Sequence, residues 1–374
     1  MLSLMRSIWP IKRNTSTKGK VFVGLSGGVD SAVSAALLKK DGCDVVGVFI
    51  RIAIDGYPCT AGVDKLDAMR VAAHLKIPFL TVDLSEEYRK RIFEFSILEF
   101  SKGRTPNPDA LCNREIKFGL FFDWCVSQGA EMVATGHYAQ TKDGQLFMGA
   151  DSDKDQSYFL WAVSETKLRK TLFPAGSLTK PEVRRLAKKF GLPNSERKDS
   201  QGLCFLGPVS IDEMLRKELR LVHGDVLNER GEIIGRHEGA AAYTLGQRHG
   251  FELSAQTPDT RPHFVIAKDI ERNTITVSAN KFPKNVRMTE IALSETNWIG
   301  PYSAKATQGE KLSARYRYRQ KLILAELSAD KSTVTLFEPH FVPEGQSLVL
   351  YSGTRCIGGG VILSARYGDT DRKS

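Results

Sequence analysis

This chain lacks any long hydrophobic run: across its 374 residues nothing approaches the roughly 18 consecutive apolar positions that a membrane-spanning helix needs. Its six cysteines, at 43, 59, 112, 125, 204 and 356, are scattered, with no Cys-x-x-Cys pair and no Cys/His cluster at zinc-finger spacing. That distribution argues against a disulfide scaffold and against any structural metal site, and it suits a reducing compartment, either cytosol or mitochondrial matrix. Acid is missing from the N-terminus, where the first carboxylate is Asp30. The first 20 residues hold Arg6, Lys12, Arg13, Lys18 and Lys20, half of the net charge of +10. With Leu2, Leu4, Ile8, Trp9 and several serines and threonines, this composition fits a mitochondrial transit peptide; a disordered basic tail is the alternative. A secretory signal fits less well, since Pro10 and Lys12 cut the apolar stretch short.

A glycine-rich turn, Gly24-Leu25-Ser26-Gly27-Gly28-Val29-Asp30-Ser31, follows the apolar run Val21-Phe22-Val23 and leads into a helical pattern ending at Lys40. Its backbone N–H groups would face outward at a helix N-terminus, where the dipole adds positive potential, so it reads as a cradle for phosphate oxygens. An ordinary tight turn is the plain alternative. Two further absences narrow the chemistry. No lysine stands where a Walker A loop needs one, and the dinucleotide fingerprint Gly-x-Gly-x-x-Gly is missing.

From Val21 to about Leu206, short β-branched runs alternate with amphipathic segments: strands at 45–50, 79–82 and 132–135, helices at 64–75 and 87–100. The alternation predicts a parallel sheet with helices on both faces and ligands at the carboxyl edge, where Gly24 to Ser31, the segment after Ile50, and Gly136-His137 would lie. Thr179-Lys180-Pro181-Glu182 has capping-box spacing and opens a helix that Gly191 stops. The outer face of that helix carries Arg184, Arg185, Lys188 and Lys189, either merely solvated or turned to a polyanion. Beyond Gly207 come glycine-punctuated short strands, at 231–235, 264–266 and 274–277, and a second boundary near Phe282-Pro283-Lys284. The expected organisation is a tail (1–20), an α/β domain (21–208), a small β-rich domain (209–284) and a C-terminal β-barrel or sandwich (285–374). In the last, Arg315-Tyr316-Arg317-Tyr318-Arg319, taken as a strand with Lys311 and Lys321 nearby, would set three arginines toward phosphate and two tyrosines behind them. A solvated strand face is the rival reading.

Two polar loops carry reactive groups. In Gly103 to Phe118, Pro106-Asn107-Pro108 makes a stiff non-helical entry, and Asp109 precedes Cys112 by three residues before a helix. A cysteine at a helix N-terminus near Arg114 and Lys117 is expected to be thiolate-like. The second loop, Asp199-Ser200-Gln201-Gly202-Leu203-Cys204-Phe205, also ends in a cysteine. Cys43, Cys125 and Cys356, in apolar context, read as small buried hydrophobes.

These segments together resemble the tRNA-specific 2-thiouridylases, members of the PP-loop ATP pyrophosphatases, and with the N-terminal tail they resemble the mitochondrial branch. The likeness rests on Ser26 to Ser31, Arg104 to Phe118, Ala134-Thr135-Gly136-His137-Tyr138, Lys154-Asp155-Gln156-Ser157-Tyr158-Phe159-Leu160, Asp199 to Phe205 and Thr244-Leu245-Gly246-Gln247-Arg248. It implies that Gly24, Leu25, Ser26, Gly27, Gly28, Val29, Asp30 and Ser31 bind ATP and its pyrophosphate, with Ile50 and Gly136 lining the adenosine pocket. It implies that Asn107, Pro108 and Asp109 lie against the target base, and that His137, Lys154, Asp155, Gln156, Arg317, Tyr318 and Gln346 contact tRNA. Cys204 matches the cysteine that carries persulfide sulfur, Cys112 its catalytic partner, and Asp109 is placed as general acid/base. The sequence departs from the family pattern at Ile50, where methionine is common, and in the shortened stretch from Ala53 to Cys59.

The expected reaction is ATP-dependent 2-thiolation of the wobble uridine. Adenylation makes the C2 oxygen a leaving group, a persulfide on Cys204 attacks C2, and Cys112 breaks the S–S bond. Mg²⁺ would accompany the nucleotide, and sulfur would come from a cysteine desulfurase or relay protein. The protein is expected to act as a monomer on tRNA, in the mitochondrial matrix. Two rivals share part of the pattern: a PP-loop synthetase acting on a small molecule, which has no need of the paired cysteines, and a non-catalytic tRNA-binding protein.

Overall fold

The computed structural model describes residues 19–58, 60–199, 204, 205, 207, 209–254, 261–300 and 312–368. The basic tail before residue 19, Cys59, Lys311 and Ser200 to Leu203 of the second cysteine loop lie outside the described residues. Among those described, no helix is long and apolar enough to cross a membrane.

The chain opens with β1 (Lys20–Gly24), α1 (Val29–Lys40), β2 (Asp44–Arg51), α2 (Ala61–Leu75) and β3 (Phe79–Asp83). A long helical passage follows as α3 (Ser85–Tyr88), a π-helical stretch (Arg89–Glu94) and α4 (Phe95–Ser101). After the proline loop come α5 (Pro108–Cys112), a second π-helical stretch (Asn113–Leu120), α6 (Phe121–Ser127) and β4 (Met132–Ala134). The hairpin β5 (Ala139–Lys142) and β6 (Gln145–Met148), α7 (Glu165–Leu168), β7 (Thr171–Leu172) and α8 (Lys180–Lys189) complete this part.

Strands β3-β2-β1-β4-β7 form one parallel sheet. A parallel strand covered on both faces must be apolar at every position, which accounts for Val21-Phe22-Val23 and Val45-Val46. Phe22, Val46, Val48 and Ile50 point into a core shared with the helices of 85–127, while Val21, Val23, Val45 and Phe49 point into another with α1, α2 and α8. Each such fully buried side chain contributes roughly 1.5–3 kcal/mol. The chain winds outward from β1 through β2 to β3 and returns to the other side of β1 at β4. The loops after β1 and β4 therefore flank the crevice where strand order reverses, the ligand position of open α/β sheets.

Helix α8 keeps its capping box: Thr179 N–H and hydroxyl both donate to Glu182, at 2.8 Å each. Its basic face is largely engaged, Arg184 with Asp199 at 2.5 Å and Lys188 with Glu196 at 3.0 Å, which favours the solvated, self-paired reading.

The short α9 (Ile211–Glu218) leads into a second five-stranded sheet. It contains β8 (Gly224–Leu227), β9 (Ile233–His237), β10 (Phe251–Leu253), β11 (Phe264–Asp269) and β12 (Thr274–Ser278), in the order β10-β9-β8-β12-β11. The third unit comprises β13 (Met288–Trp298), β14 (Leu312–Arg315), β15 (Ile323–Leu327), β16 (Thr333–Leu336), β17 (Ser347–Ser352) and β18 (Arg355–Gly368). Pairing of β13 with both β16 and β18 closes these six strands into a barrel. The hairpin β5–β6 belongs to the α/β part by sequence, yet β6 pairs with β18, Phe147 opposite Arg355 and Leu146 opposite Cys356. The barrel sheet thus runs into the first unit.

The expected strand through Arg315 to Arg319 is corrected. Strand β14 stops at Arg315, and Arg319 takes a positive φ of 60° in the turn that follows. Arg315 does not face solvent. Its guanidinium is buried against Asp155, with Tyr351 Oη accepting from Nη2 at 2.8 Å. A buried charge must be paired, and this pairing turns the arginine inward and ends the alternation.

Candidate active site

The Gly24 to Ser31 loop is tied to its surroundings by short-range bonds. Leu25 N–H donates to Val48 O at 2.8 Å, which keeps the loop on the sheet edge. Ser31 Oγ donates to Gly28 O at 3.0 Å and accepts from Ser26 N–H at 3.2 Å. Gly27 adopts φ 80°, and Asn194 Nδ2 holds its carbonyl at 2.7 Å. Gly28 caps α1 with no side-chain bond, so the first amides of the helix remain available to an outside acceptor. A Cβ on Gly136 would come within 2.7 Å of Ser31 N, so the turn after β4 presses directly on the loop. Asp30, the one acid in the cradle, accepts from Lys180 at 2.7 Å and from Tyr138 Oη at 2.7 Å, which offsets its repulsion of phosphate. Lys180 also reaches Asp199 at 2.8 Å, and Lys154 meets Asp199 at 3.0 Å. Although partial burial works the other way, hydrogen bonds from Lys180 and Lys154 hold Asp199 down at about 2. An uncapped helix start, a glycine-only approach and a neutralised acid together fit a nucleotide's phosphates. Ile50, at the carboxyl end of β2, is buried in the apolar cluster that also contains Cys112.

The two cysteine loops converge. Cys112 and Cys204, 92 residues apart, place their sulfurs 3.7 Å from each other. Cys112 is the last residue of the five-residue α5, fully buried within a helical passage that continues directly into the π-helical stretch from Asn113. The expectation of a thiolate-like Cys112 is therefore corrected: burial and the neighbouring Cys204 push its thiol well up. Cys204 shifts the opposite way, lowered by the hydrogen bond from Cys112 and by the nearby Lys117 ammonium against the cost of burial. Asp109 lies beside them, its carboxyl raised by burial despite Lys117 and the Cys204 backbone. Tyr88 Oη donates to Cys204 O at 2.7 Å and its ring packs edge-on against Phe205, pinning the second loop. Nothing in the sequence singles out Tyr88. Cys125 and Cys356 are buried hydrophobes, with thiols pushed up to about 12. Cys43 is only partly buried, against the α1 side of the sheet.

Asn107 caps α5, accepting from Ala110 N–H at 3.1 Å, and donates to Ser347 Oγ in the barrel at 3.2 Å. Thr105 N–H reaches Glu344 O at 2.7 Å and its hydroxyl meets Thr244 at 3.2 Å. The loop from Thr105 through Pro108 to Asp109 is consequently the joint where all three units meet. Tyr318, its ring tilted against Phe159 with centroids 4.7 Å apart, and Gln346, which accepts from Tyr158 Oη at 3.0 Å, stand on the barrel side of that joint. Arg317 donates to Leu245 O and lines an open basic hollow with Arg248, His249 and Lys281. Lys154 and Gln156 are partly exposed.

Two residues expected to contact tRNA have buried side chains in the free protein. Asp155 is buried, paired with Arg315 and accepting from Gly149 N–H and Ser157 N–H at 3.0 and 3.1 Å, so it shapes the 149–157 turn from within. His137 is likewise buried, bonded to Thr135 Oγ1 at 2.7 Å between Phe118 and Phe173, and burial lowers its pKa well below the ordinary value. It forms part of the floor beneath the site.

Comparison with known proteins agrees with this organisation. Residues 19–208 match the tRNA methyl transferase HUP domain, 212–279 the tRNA methyl transferase PRC-barrel domain, and 288–362 the aminomethyltransferase beta-barrel domain. The chain is 40% identical over 360 residues to tRNA-specific 2-thiouridylase MnmA of Enterococcus faecalis, covering 93% of this chain and 96% of that protein. It is 41% identical over 360 residues to tRNA-specific 2-thiouridylase MnmA 2 of Aliarcobacter butzleri, covering 92% and 98%. The MnmA of Streptococcus sanguinis is 40% identical over 359 residues, covering 93% and 96%. The chain belongs to the tRNA-specific 2-thiouridylase family.

Proposed function

We propose that this protein uses ATP to convert the C2 carbonyl of the wobble uridine of mitochondrial tRNAs to a thiocarbonyl. The observation that carries the reading is the meeting of Cys112 and Cys204 at 3.7 Å beside Asp109, packed in the apolar cluster that holds Ile50 of β2. Neither a small-molecule synthetase nor a non-catalytic tRNA binder has use for that juxtaposition.

The amide-like C2 carbonyl is a poor electrophile, and its oxygen leaves readily once it is part of AMP. Amides at the start of α1 receive the phosphates, and Lys180 keeps Asp30 neutralised. Mg²⁺ would arrive with the triphosphate as part of the substrate. The outer sulfur of a Cys204 persulfide attacks C2, and AMP departs with the former carbonyl oxygen. Cys112, its proton taken by Asp109, attacks Cys204 Sγ; the S–S bond breaks, sulfur stays on the base, and a Cys112–Cys204 disulfide remains. A dithiol reductant returns the pair to thiols. A disulfide needs sulfurs near 2.05 Å, so the two loops have only a short distance to close. A sulfur-carrying protein, a desulfurase or relay, supplies the persulfide. The acid-free basic tail supports delivery to the mitochondrial matrix, and the enzyme is expected to act as a monomer.

The decisive experiment combines purified protein, tRNA, ATP and a persulfide donor, with thiolated tRNA read as retarded migration on a mercury-containing gel. Cys112→Ser and Cys204→Ser are each expected to abolish the retarded band while leaving tRNA binding nearly intact. Normal thiolation by either variant would overturn the proposal.

A further inference from the structure

The cation of the cysteine centre is Lys117. It lies in the π-helical stretch Asn113–Leu120, five positions after Cys112. In an α-helix of 3.6 residues per turn, residues five apart would stand about 140° from each other, so Lys117 would point away from the cysteine. A π-helical register bonds residue i to i+5, as Phe121 N–H does to Ile116 O, and its wider turn brings positions five apart closer around the axis than an α-helix does. The register thereby turns Lys117 back onto the face of Cys112. There its ammonium lies 5.7 Å from the centre of the ring of Phe205, the residue after Cys204, and its positive charge acts on both sulfurs. The loop bearing Cys204 is held from the other side by Tyr88.

We propose that Lys117 holds Cys204 as the thiolate that accepts sulfur from the donor protein. This inference rests on the thiolation reading above and assigns the residue that makes sulfur loading possible. In the loading step the Cys204 thiolate attacks the outer sulfur of a protein persulfide, R–S–S–H. That S–S bond breaks, R–S⁻ departs, and Cys204 carries the S–S–H group; sulfane sulfur is exchanged with no net oxidation. The attacking group must be anionic, and the site is largely closed to water. Of the groups facing Cys204, the Cys112 thiol donates to it, Asp109 opposes its negative charge, and Tyr88 is occupied with its carbonyl. Lys117 is the positive charge among them, and its own pKa is raised: burial opposes its charge, but the two sulfurs and Asp109 outweigh that.

The test is titration of Cys204 in the full chain, by the pH dependence of its alkylation by iodoacetamide, located by peptide mass spectrometry. The ultraviolet thiolate absorbance lost in Cys204→Ser provides a second measure. Wild-type Cys204 is expected to titrate below the ordinary thiol value of about 8.5. Lys117→Met should raise that midpoint by at least about one unit, a tenfold change in the ionisation constant, and Lys117→Arg should restore most of it. A folded Lys117→Met with an unchanged midpoint would overturn the proposal. So would a wild-type midpoint at or above the ordinary value, a result that needs no lysine variant to fold. Failure of the wild-type protein to thiolate tRNA would remove the functional reading and leave these titrations to judge Lys117 on their own.

Discussion

The nucleotide cradle and the cysteine centre are made by opposite means. The cradle is a single contiguous octapeptide whose serines, glycines and helix start bond to one another, with Asn194, Lys180 and Gly136 pressing from outside. The cysteine centre has no local order of its own. It exists only because α5, a π-helical register, Tyr88 and a loop 92 residues away come together. Adenylation can therefore be damaged by one backbone contact, and sulfur transfer by loosening any of several distant supports.

The sharpest break between the two is Gly136→Ala. Its methyl group would collide with the backbone of Ser31, where an ångström of displacement costs about 100-fold in rate. ATP consumption should collapse while Cys204 still takes up sulfur, read by persulfide labelling; equal loss of both would show that the two sites are not separable. Next, Arg315→Ala leaves Asp155 buried and unpaired, and thermal or urea unfolding should show a loss of about 3–5 kcal/mol. Arg317→Ala is expected to weaken tRNA binding and flatten its salt dependence by about one unit of slope, and an unchanged slope would remove Arg317 from the phosphate contacts. Thr179→Ala removes half of the α8 capping box, for about 1 kcal/mol in the same unfolding assay. Smallest is a pH effect at Asp199. Its folded pKa is depressed, so its stabilisation is present above 3.8 and fades as pH falls toward about 2; Asp199→Asn should flatten unfolding across that window alone.

The same contrast governs what could be read in advance. Strand and helix alternation, the capping box of α8 and the octapeptide are local patterns, so the parallel sheet and the cradle are legible from residue order. The barrel is legible as short strands but its closure through β13 and β18 is not, because pairing between residues as far apart in sequence as Met288 and Gly368 leaves no periodic trace. Arg315 misleads for a specific reason: its alternation with tyrosines is a strand pattern, but its partner Asp155 is supplied by another unit. Lys117 stands near Cys112 in any reading of the sequence. That it serves Cys204 depends on a helix register that composition does not encode.

The hairpin β5–β6 has a consequence for how the chain is made. Phe147 is synthesised about two hundred residues before Arg355, the residue it faces in β18. At ~5–20 residues per second the newborn hairpin waits roughly 10–40 s with an open strand edge. An unpaired edge is a template for wrong partners, so during translation this short segment is the place where a holding chaperone has most to protect.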